Sequence, residues 1–251
     1  MQPEDEYEDE DFDEVTARFG SFDPKPEDAN GIAQFIPKYL NCDRVELSMI
    51  IANQSYVGTV IKTEDADPDD VSMFGFITVL NLAFYQDYAC IQKFISWMQS
   101  LGDPILNELL STQLNRVGLF LNERAYGIPP EYAPHLNRGV FEEVSWATED
   151  CKTPQEREAF NLTHYILVKK GVKGDEGIEF PLIEDDYYFK HADHTIEFQT
   201  GGEEGDLEEL EYHRYILVLT AESIHTSRME LNEMFGVDES QYANEGIKDQ
   251  A

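Results

Sequence analysis

The 251-residue chain is predicted to be an α/β protein in which one mixed sheet carries helices on both faces. Short apolar runs rich in β-branched residues alternate with segments whose apolar residues recur at helical spacing. The run FGFITVLNL (74–82) is apolar almost throughout, which is typical of a central strand covered on both sides. No segment repeats at a fixed period and no linker divides the chain, so we expect one domain over residues 15–236.

Seven runs are predicted to be strands because they are short and rich in β-branched or aromatic residues. The run HTIEFQT alternates in polarity, which predicts one exposed face. The segment GVKGDEG (171–177) is interpreted as a hairpin turn, since it contains two acids and no amphipathic helix follows to complete a phosphate site. The predicted strands cover residues 15–19, 57–63, 74–82, 117–121, 164–170, 194–200 and 214–220.

Helices are predicted where apolar residues recur every three or four positions. Asp43 and Glu46 resemble a capping box, and Asp87 and Asp103 are expected to cap the two following helices. Pro37 should end or kink the first helix. Residues 149–158 are interpreted as a polar connection. The predicted helices lie within residues 28–40, 43–51, 87–102, 103–110, 132–147, 184–190 and 221–235.

The charge restricts the possible partners. The chain has 51 acidic residues against 18 Lys and Arg, a formal charge of −33. Residues 1–14 hold nine of the acids and are predicted to be a disordered tail, and residues 237–251 a polar tail. Such a surface repels nucleic acid and anionic membranes and favours basic proteins. No apolar run is long enough to span a membrane, and three scattered cysteines indicate a reducing compartment.

Two acidic loops beside predicted strands are the candidate binding site for a basic client protein. Acids on a folded rim can match the shape of a partner, whereas those of a disordered tail impose little geometry. The candidate residues of the first loop are Glu64, Asp65, Asp67, Asp69 and Asp70. Those of the second loop are Glu203, Glu204, Asp206, Glu208 and Glu209.

Sequence motifs of common enzymes are missing. The chain has no phosphate-binding loop, no dinucleotide fingerprint and no nucleophile elbow. His191 and His194 are three residues apart, and His213 could neighbour them, but surface histidines are favoured over a metal site. We therefore expect no catalytic residue, metal or cofactor.

Clustered charges have two interpretations each. The pair Glu142–Glu143 and the trio Glu184–Asp186 are predicted to be solvated faces, because adjacent acids carry little information in so acidic a chain. Asn122–Arg124, at the end of a buried strand, marks either a functional site or an internal ion pair. The ion pair is favoured, because a buried strand end needs such anchoring.

Several motifs together resemble the BCCIP family, which includes fungal nuclear proteins. The resemblance covers roughly residues 28–235 and is loose in the C-terminal third. Its motifs are VGTVIK (57–62) with the acidic segment after it, FGFITVLNL (74–82), VGLFLNER (117–124) followed by IPP (128–130), and HYILVKK (164–170).

The resemblance implies a fold similar to the GNAT-type acetyltransferases without their catalysis. The motif [QR]-x-x-G-x-[GA], which holds acetyl-CoA in such enzymes, is missing, and AYGIPP follows VGLFLNER instead. The family implies a nuclear chaperone or adaptor that shuttles to the cytoplasm. Its expected partners are a large-subunit ribosomal protein and the nuclear export machinery, in ribosome biogenesis. The alternative is an acetyltransferase-type enzyme with an unusual cofactor site.

Overall fold

A computed structural model describes residues 18–54, 56–64, 72–175, 177–199, 207 and 209–238. Its strands are β1 (Phe19–Phe22), β2 (Thr59–Thr63), β3 (Met73–Asn81), β4 (Val117–Arg124), β5 (His164–Lys173), β6 (Ile178–Glu179), β7 (His194–Phe198) and β8 (Tyr212–Thr220). Its α-helices are α1 (Ala29–Phe35), α2 (Arg44–Asn53), α3 (Ala89–Ser100), α4 (Pro104–Thr112), α5 (Tyr132–Asp150), α6 (Pro154–Ala159), α7 (Ile183–Lys190) and α8 (Ala221–Met234).

The strands form one mixed sheet in the order β1-β2-β3-β4-β5-β8-β7, and β6 pairs with β5. Neighbouring strands are antiparallel except β4 and β5, which are parallel. The parallel ladder holds only three residue pairs, from Val117↔His164 to Leu119↔Ile166, although both strands continue further. The mixed sheet is the predicted one, and β5 with β6 forms the predicted hairpin.

Each face of the sheet buries its own core, as predicted. On one face, residues from α1 to α4 pack together, with Ile32, Leu47 and Phe94 almost fully buried. The other core includes Val140 of α5 and Ile224 of α8. Alternate residues of the central strand β3 enter the two cores, because successive side chains of a strand point to opposite faces.

The caps agree with the sequence in part. The side chain of Asp43 caps α2 by accepting hydrogen bonds from the backbone N–H groups of the first turn. The Glu46 side chain does not complete a capping box, because its Oε2 accepts a hydrogen bond from the N–H of Cys90 at 2.6 Å and so joins α2 to α3. The expected cap of α3 by Asp87 is wrong: Tyr88 occupies the N-cap position and makes no side-chain cap.

One predicted boundary is confirmed and two others differ from the prediction. Pro37 ends the first helical segment, and the following Lys38–Leu40 forms only a 3-10 turn. The connection at 149–158 contains α6, because Thr153 starts that helix with a capping box. The first strand begins at Phe19 rather than at residue 15, and residues 15–17 lie outside the described residues.

The expected tails are mostly beyond the described part of the chain. Residues 1–14 lie outside it, as do 239–251, whereas Val237 donates a hydrogen bond to the Asn232 carbonyl at 2.9 Å. Among the described residues, no helix combines the length and apolarity that crossing a membrane requires.

Gly75→Ala should destabilise the sheet, because Gly75 faces the backbone of β4 closely. A Cβ at this position would lie 2.7 Å from the Glu123 carbonyl oxygen and collide with Arg124. We expect unfolding to require about 1–3 kcal/mol less free energy, measured by urea denaturation. In the matched control Gly139→Ala, the added Cβ meets nothing within 4 Å, so this α5 variant should gain about 0.5–1 kcal/mol. Equal stability of the two variants would contradict this packing argument.

Candidate functional site

The candidate acidic loops leave from one edge of the sheet. The strand pairings place the end of β2 beside the starts of β1 and β3, and the start of β3 beside the end of β4. The ends of β4 and β5 point the same way, and the start of β8 lies beside the ends of β5 and β7. We call this edge the acidic end and define it by the exposed residues Glu64, Glu209 and Glu211.

Two of the ten candidate residues are described. Glu64 follows β2 and Glu209 precedes β8, and both are exposed. Arg18, the first described residue after the N-terminal acids, lies at the same edge, since its carbonyl accepts a hydrogen bond from the Glu64 N–H at 2.8 Å. The other eight lie outside the described residues: Asp65, Asp67, Asp69, Asp70, Glu203, Glu204, Asp206 and Glu208.

A cationic cavity that the sequence did not predict adjoins the acidic end. Its volume is about 300 Å³, and its lining includes the ends of β4 and β5 together with residues 34–39. Five of the 18 Lys and Arg residues of the chain line it: Lys38, Arg44, Arg124, Lys169 and Lys170. Two acids, Glu123 and Asp185, also line it, so cations outnumber acids in the lining of this cavity.

Lys169 bridges the gap where β4 and β5 separate. Continued in the same register, the parallel ladder would place Lys169 opposite Asn122. Instead, the buried Lys169 Nζ donates a hydrogen bond to the Asn122 carbonyl oxygen at 2.9 Å. The ammonium group therefore binds a strand carbonyl that lies beyond the end of the β4–β5 ladder.

Acids of α7 complete this buried charge network. The guanidinium of Arg124 binds both carboxylate oxygens of Glu184, with Nη2 to Oε2 at 2.7 Å. Asn122 Nδ2 donates to Glu184 Oε1 at 2.6 Å, and Lys169 Nζ lies 3.1 Å from Asp185 Oδ1. Glu184 is 0% exposed and Asp185 2%, so the prediction of a solvated face is wrong for both. The favoured interpretation of Asn122–Arg124 as part of an internal ion pair is confirmed.

The network sets the protonation of its members. Burial raises the pKa of Asp185 to about 7, although the charge of Lys169 opposes this. Burial alone would also raise the pKa of Glu184, but hydrogen bonds and the positive charge of Arg124 outweigh it and lower the pKa. Burial acts to lower the pKa of Lys169, but the negative charges of Asp185 and Glu123 outweigh burial and raise this pKa above its usual value. The ammonium group therefore stays charged. Chemically, the network can anchor α7 and hold a proton near neutral pH.

The remaining charged candidates are paired within the chain. His194 Nε2 lies 3.0 Å from Asp103 Oδ2, and His213 Nδ1 lies 2.7 Å from Glu197 Oε1. In the ranges that the structure describes, no group of three or more His, Cys, Asp and Glu could hold a metal ion.

The pair Glu142–Glu143 is only partly solvated. Glu143 Oε2 accepts a hydrogen bond from the Gly58 N–H at 2.8 Å, and burial raises its pKa to about 7. The solvated-face prediction is therefore wrong for Glu143, whereas the Glu142 side chain is 44% exposed.

Sequence reasoning missed the network although two signals pointed to it. Lys169 directly follows the apolar run YILV (165–168) of a strand predicted to be buried, where an unpaired charge would be costly. Glu184 and Asp185 are four and three residues before the buried Tyr188, so they share its helical face.

Lys169→Met should destabilise the fold strongly, because it leaves Asp185, Glu123 and the Asn122 carbonyl without their cation. We expect a loss of about 3–5 kcal/mol in the free energy of unfolding, measured by urea denaturation at neutral pH. Adding Asp185→Asn should recover part of it. The control Lys173→Met removes an exposed pair with Glu211 and should change stability little. Equal losses for the two lysine variants would refute the network's role.

The chain is similar in sequence to proteins of one family. The family model BCCIP matches residues 14–192. A "Protein BCCIP homolog" of Arabidopsis thaliana is 36% identical over 165 residues, which cover 62% of this chain and 50% of that protein. "Protein bcp1" of Emericella nidulans is 32% identical over 173 residues, covering 64% and 57%. The chain thus spans between half and three-fifths of the length of these two relatives.

The crystal structure of BCP1 from Saccharomyces cerevisiae has a similar fold. The two structures superpose with a TM-score of 0.65 over 96% of this chain and 98% of the other, at 21% sequence identity. "Protein BCP1" of Gibberella zeae extends the sequence similarity to 76% of this chain, with 28% identity over 221 residues. Since the family model matches well over half of the chain, the protein belongs to the BCCIP family.

Proposed function

We propose that the protein is a non-enzymatic acidic chaperone and adaptor for basic client proteins. The single observation that carries the proposal is the convergence of its acidic segments: the chain enters or leaves the N-terminal tract and both acidic loops at one edge of the sheet. A surface that concentrates like charge attracts oppositely charged partners and speeds their encounter.

The client class follows from this charge. A formal charge of −33 suits a newly made ribosomal protein of the large subunit, which is very basic and aggregates with nucleic acid. Ribosomal RNA would compete for the same cations and so release the client. The nuclear location, the shuttling to the cytoplasm and the contact with export machinery rest on the BCCIP resemblance alone.

The non-enzymatic part of the proposal is supported by the pairing of charges where β4 and β5 separate. We propose a relation to GNAT-type acetyltransferases, in line with a mixed sheet covered on both faces. Where β4 and β5 separate, Lys169 and Arg124 pair with buried acids of α7, so these two cations are already engaged within the chain.

Acetyl-CoA titrated into the protein should give no binding heat in calorimetry, because the net charge of −33 repels a polyanion, and Arg124 and Lys169 are already paired with buried acids. A basic ribosomal protein titrated under the same conditions is the control. Saturable binding of acetyl-CoA would support the alternative, an acetyltransferase-type enzyme.

Neutralising either acidic loop should weaken client binding more than deleting residues 1–14. The first variant changes Asp65, Asp67, Asp69 and Asp70 to Asn, and the second changes Glu203, Glu204, Glu208 and Glu209 to Gln with Asp206→Asn. The tail deletion should mainly slow association, because a tail supplies reach but little geometry. Binding isotherms for a basic large-subunit ribosomal protein, with circular dichroism to check folding, measure the effect. Wild-type affinity should also fall between about 50 and 300 mM salt, as exposed charges are screened over about 10 Å.

The matched control removes four exposed acids that do not belong to the acidic end, by changing Asp87 to Asn and Glu108, Glu158 and Glu222 to Gln. It should bind the client almost as wild type does. If it weakens binding as much as the loop variants, only net charge matters and the site is wrongly assigned. Salt-independent affinity would reject the electrostatic mechanism altogether.

A further inference from the structure

The outer face of α5 exposes a tryptophan that the fold does not use. The buried stripe of this helix packs against the sheet through residues such as Val140 and Val144. Trp146 lies on another side of the helix and is 59% exposed. The second tryptophan, Trp97, packs instead against Phe198 with ring centroids 5.1 Å apart. An exposed tryptophan is unusual because this side chain has much apolar area to bury.

Acidic residues surround Trp146 on its own face of the helix. Residues three and four positions away are neighbours on an α-helix, and all four such positions on the two sides hold acids. Between residues 142 and 150 the helix has no Lys or Arg, and the nearest cation on the helix is Arg138, whose Nε lies 3.8 Å from Glu142 Oε1. Glu143 is held in place by the Gly58 N–H at 2.8 Å. The four acids are Glu142, Glu143, Glu149 and Asp150.

Gly139 leaves open space on the same side. It stands seven residues before Trp146, two helical turns away, and a Cβ there would meet nothing within 4 Å. Glycine inside a helix lowers helix stability relative to alanine, and among the described residues no close packing requires a glycine here. A missing side chain on an exposed helix face permits close approach of a partner backbone.

We propose that this surface, which we name the Trp146 face (Gly139, Glu142, Glu143, Trp146, Glu149 and Asp150), docks a Lys- and Arg-bearing segment of the client. The inference rests on the proposed function and specifies its contact surface. The indole ring binds a Lys or Arg cation, and Glu142, Glu149 and Asp150 pair with the neighbouring cations of the segment. An acidic or purely apolar segment does not fit, because the ring of carboxylates would be left repelled or unpaired.

Fluorescence tests the contact directly. In Trp97→Phe, which keeps an aromatic ring against Phe198, Trp146 is the only fluorophore of its kind. Titration with a synthetic peptide of repeated Arg-Ala-Lys-Ala should change the Trp146 emission in a saturable way. A Gln-Ala-Gln-Ala peptide should leave the emission unchanged. Unchanged emission on saturation with the basic peptide would overturn the docking face.

Two variants test it by affinity. Trp146→Ala should weaken binding of the basic peptide about threefold to tenfold, in the range of a single cation–π contact. Gly139→Leu adds bulk to the face without changing charge, improves helix propensity and should weaken binding similarly. The control Ile105→Ala removes an exposed apolar side chain of α4, which is 53% exposed, and should bind as wild type does.

The outcomes separate this inference from the proposed function. If wild type binds neither a basic ribosomal protein nor the basic peptide at low salt, the proposed function and the docking face both fall. If wild type binds and the acidic-loop variants weaken binding while Trp146→Ala and Gly139→Leu do not, the docking face alone is wrong. Thermal unfolding confirms that Gly139→Leu is folded and at least as stable as wild type.

Discussion

The hydrogen bond from the Lys169 ammonium to the Asn122 carbonyl connects β5 to β4 at the centre of the sheet. The parallel pair β4–β5 joins the two halves of the sheet, and its ladder ends after three residue pairs. Beyond that point side chains connect the strands. The buried ammonium of Lys169 binds both a carbonyl of β4 and a carboxylate of α7. Each of these ions would be costly alone, because desolvation outweighs any single contact.

The same arrangement determines where the charges of the surface meet. Because all strand pairs but one are antiparallel, loops with many acids return to one edge of the sheet, next to the ends of β4 and β5. Acids gathered in this way repel each other and destabilise the compact state. At the ends of β4 and β5, Arg124 and Lys169 neutralise the nearby acids Glu184, Asp185 and Glu123.

Local patterns predicted much of the fold, while contacts between distant residues escaped them. The strands, the mixed sheet, the Asp43 cap and the break at Pro37 all follow from residue type and spacing within one segment. The environment of Glu184 does not, since its partner Arg124 is 60 residues away in the chain. Glu46 likewise bonds to a backbone group 44 residues away, which no capping pattern indicates. Because the chain has so many acids, Glu184 is predicted to be solvated. Arg124 at the end of a buried strand nevertheless needs an acidic partner, and Glu184 is that partner.

Charge alone explains encounter but not selection. Exposed carboxylates act over about 10 Å and attract any basic protein, so they raise association rates without distinguishing clients of similar charge. Distinction requires short-range contacts whose energy depends on shape, and large aromatic side chains supply most of that energy in protein interfaces. Under the proposed function, the acidic end supplies long-range attraction, whereas Trp146 and the space beside Gly139 supply a contact that depends on the shape of the bound segment. Weak, screened charges and one geometric contact together allow a client to be bound selectively and still be released to a stronger polyanion.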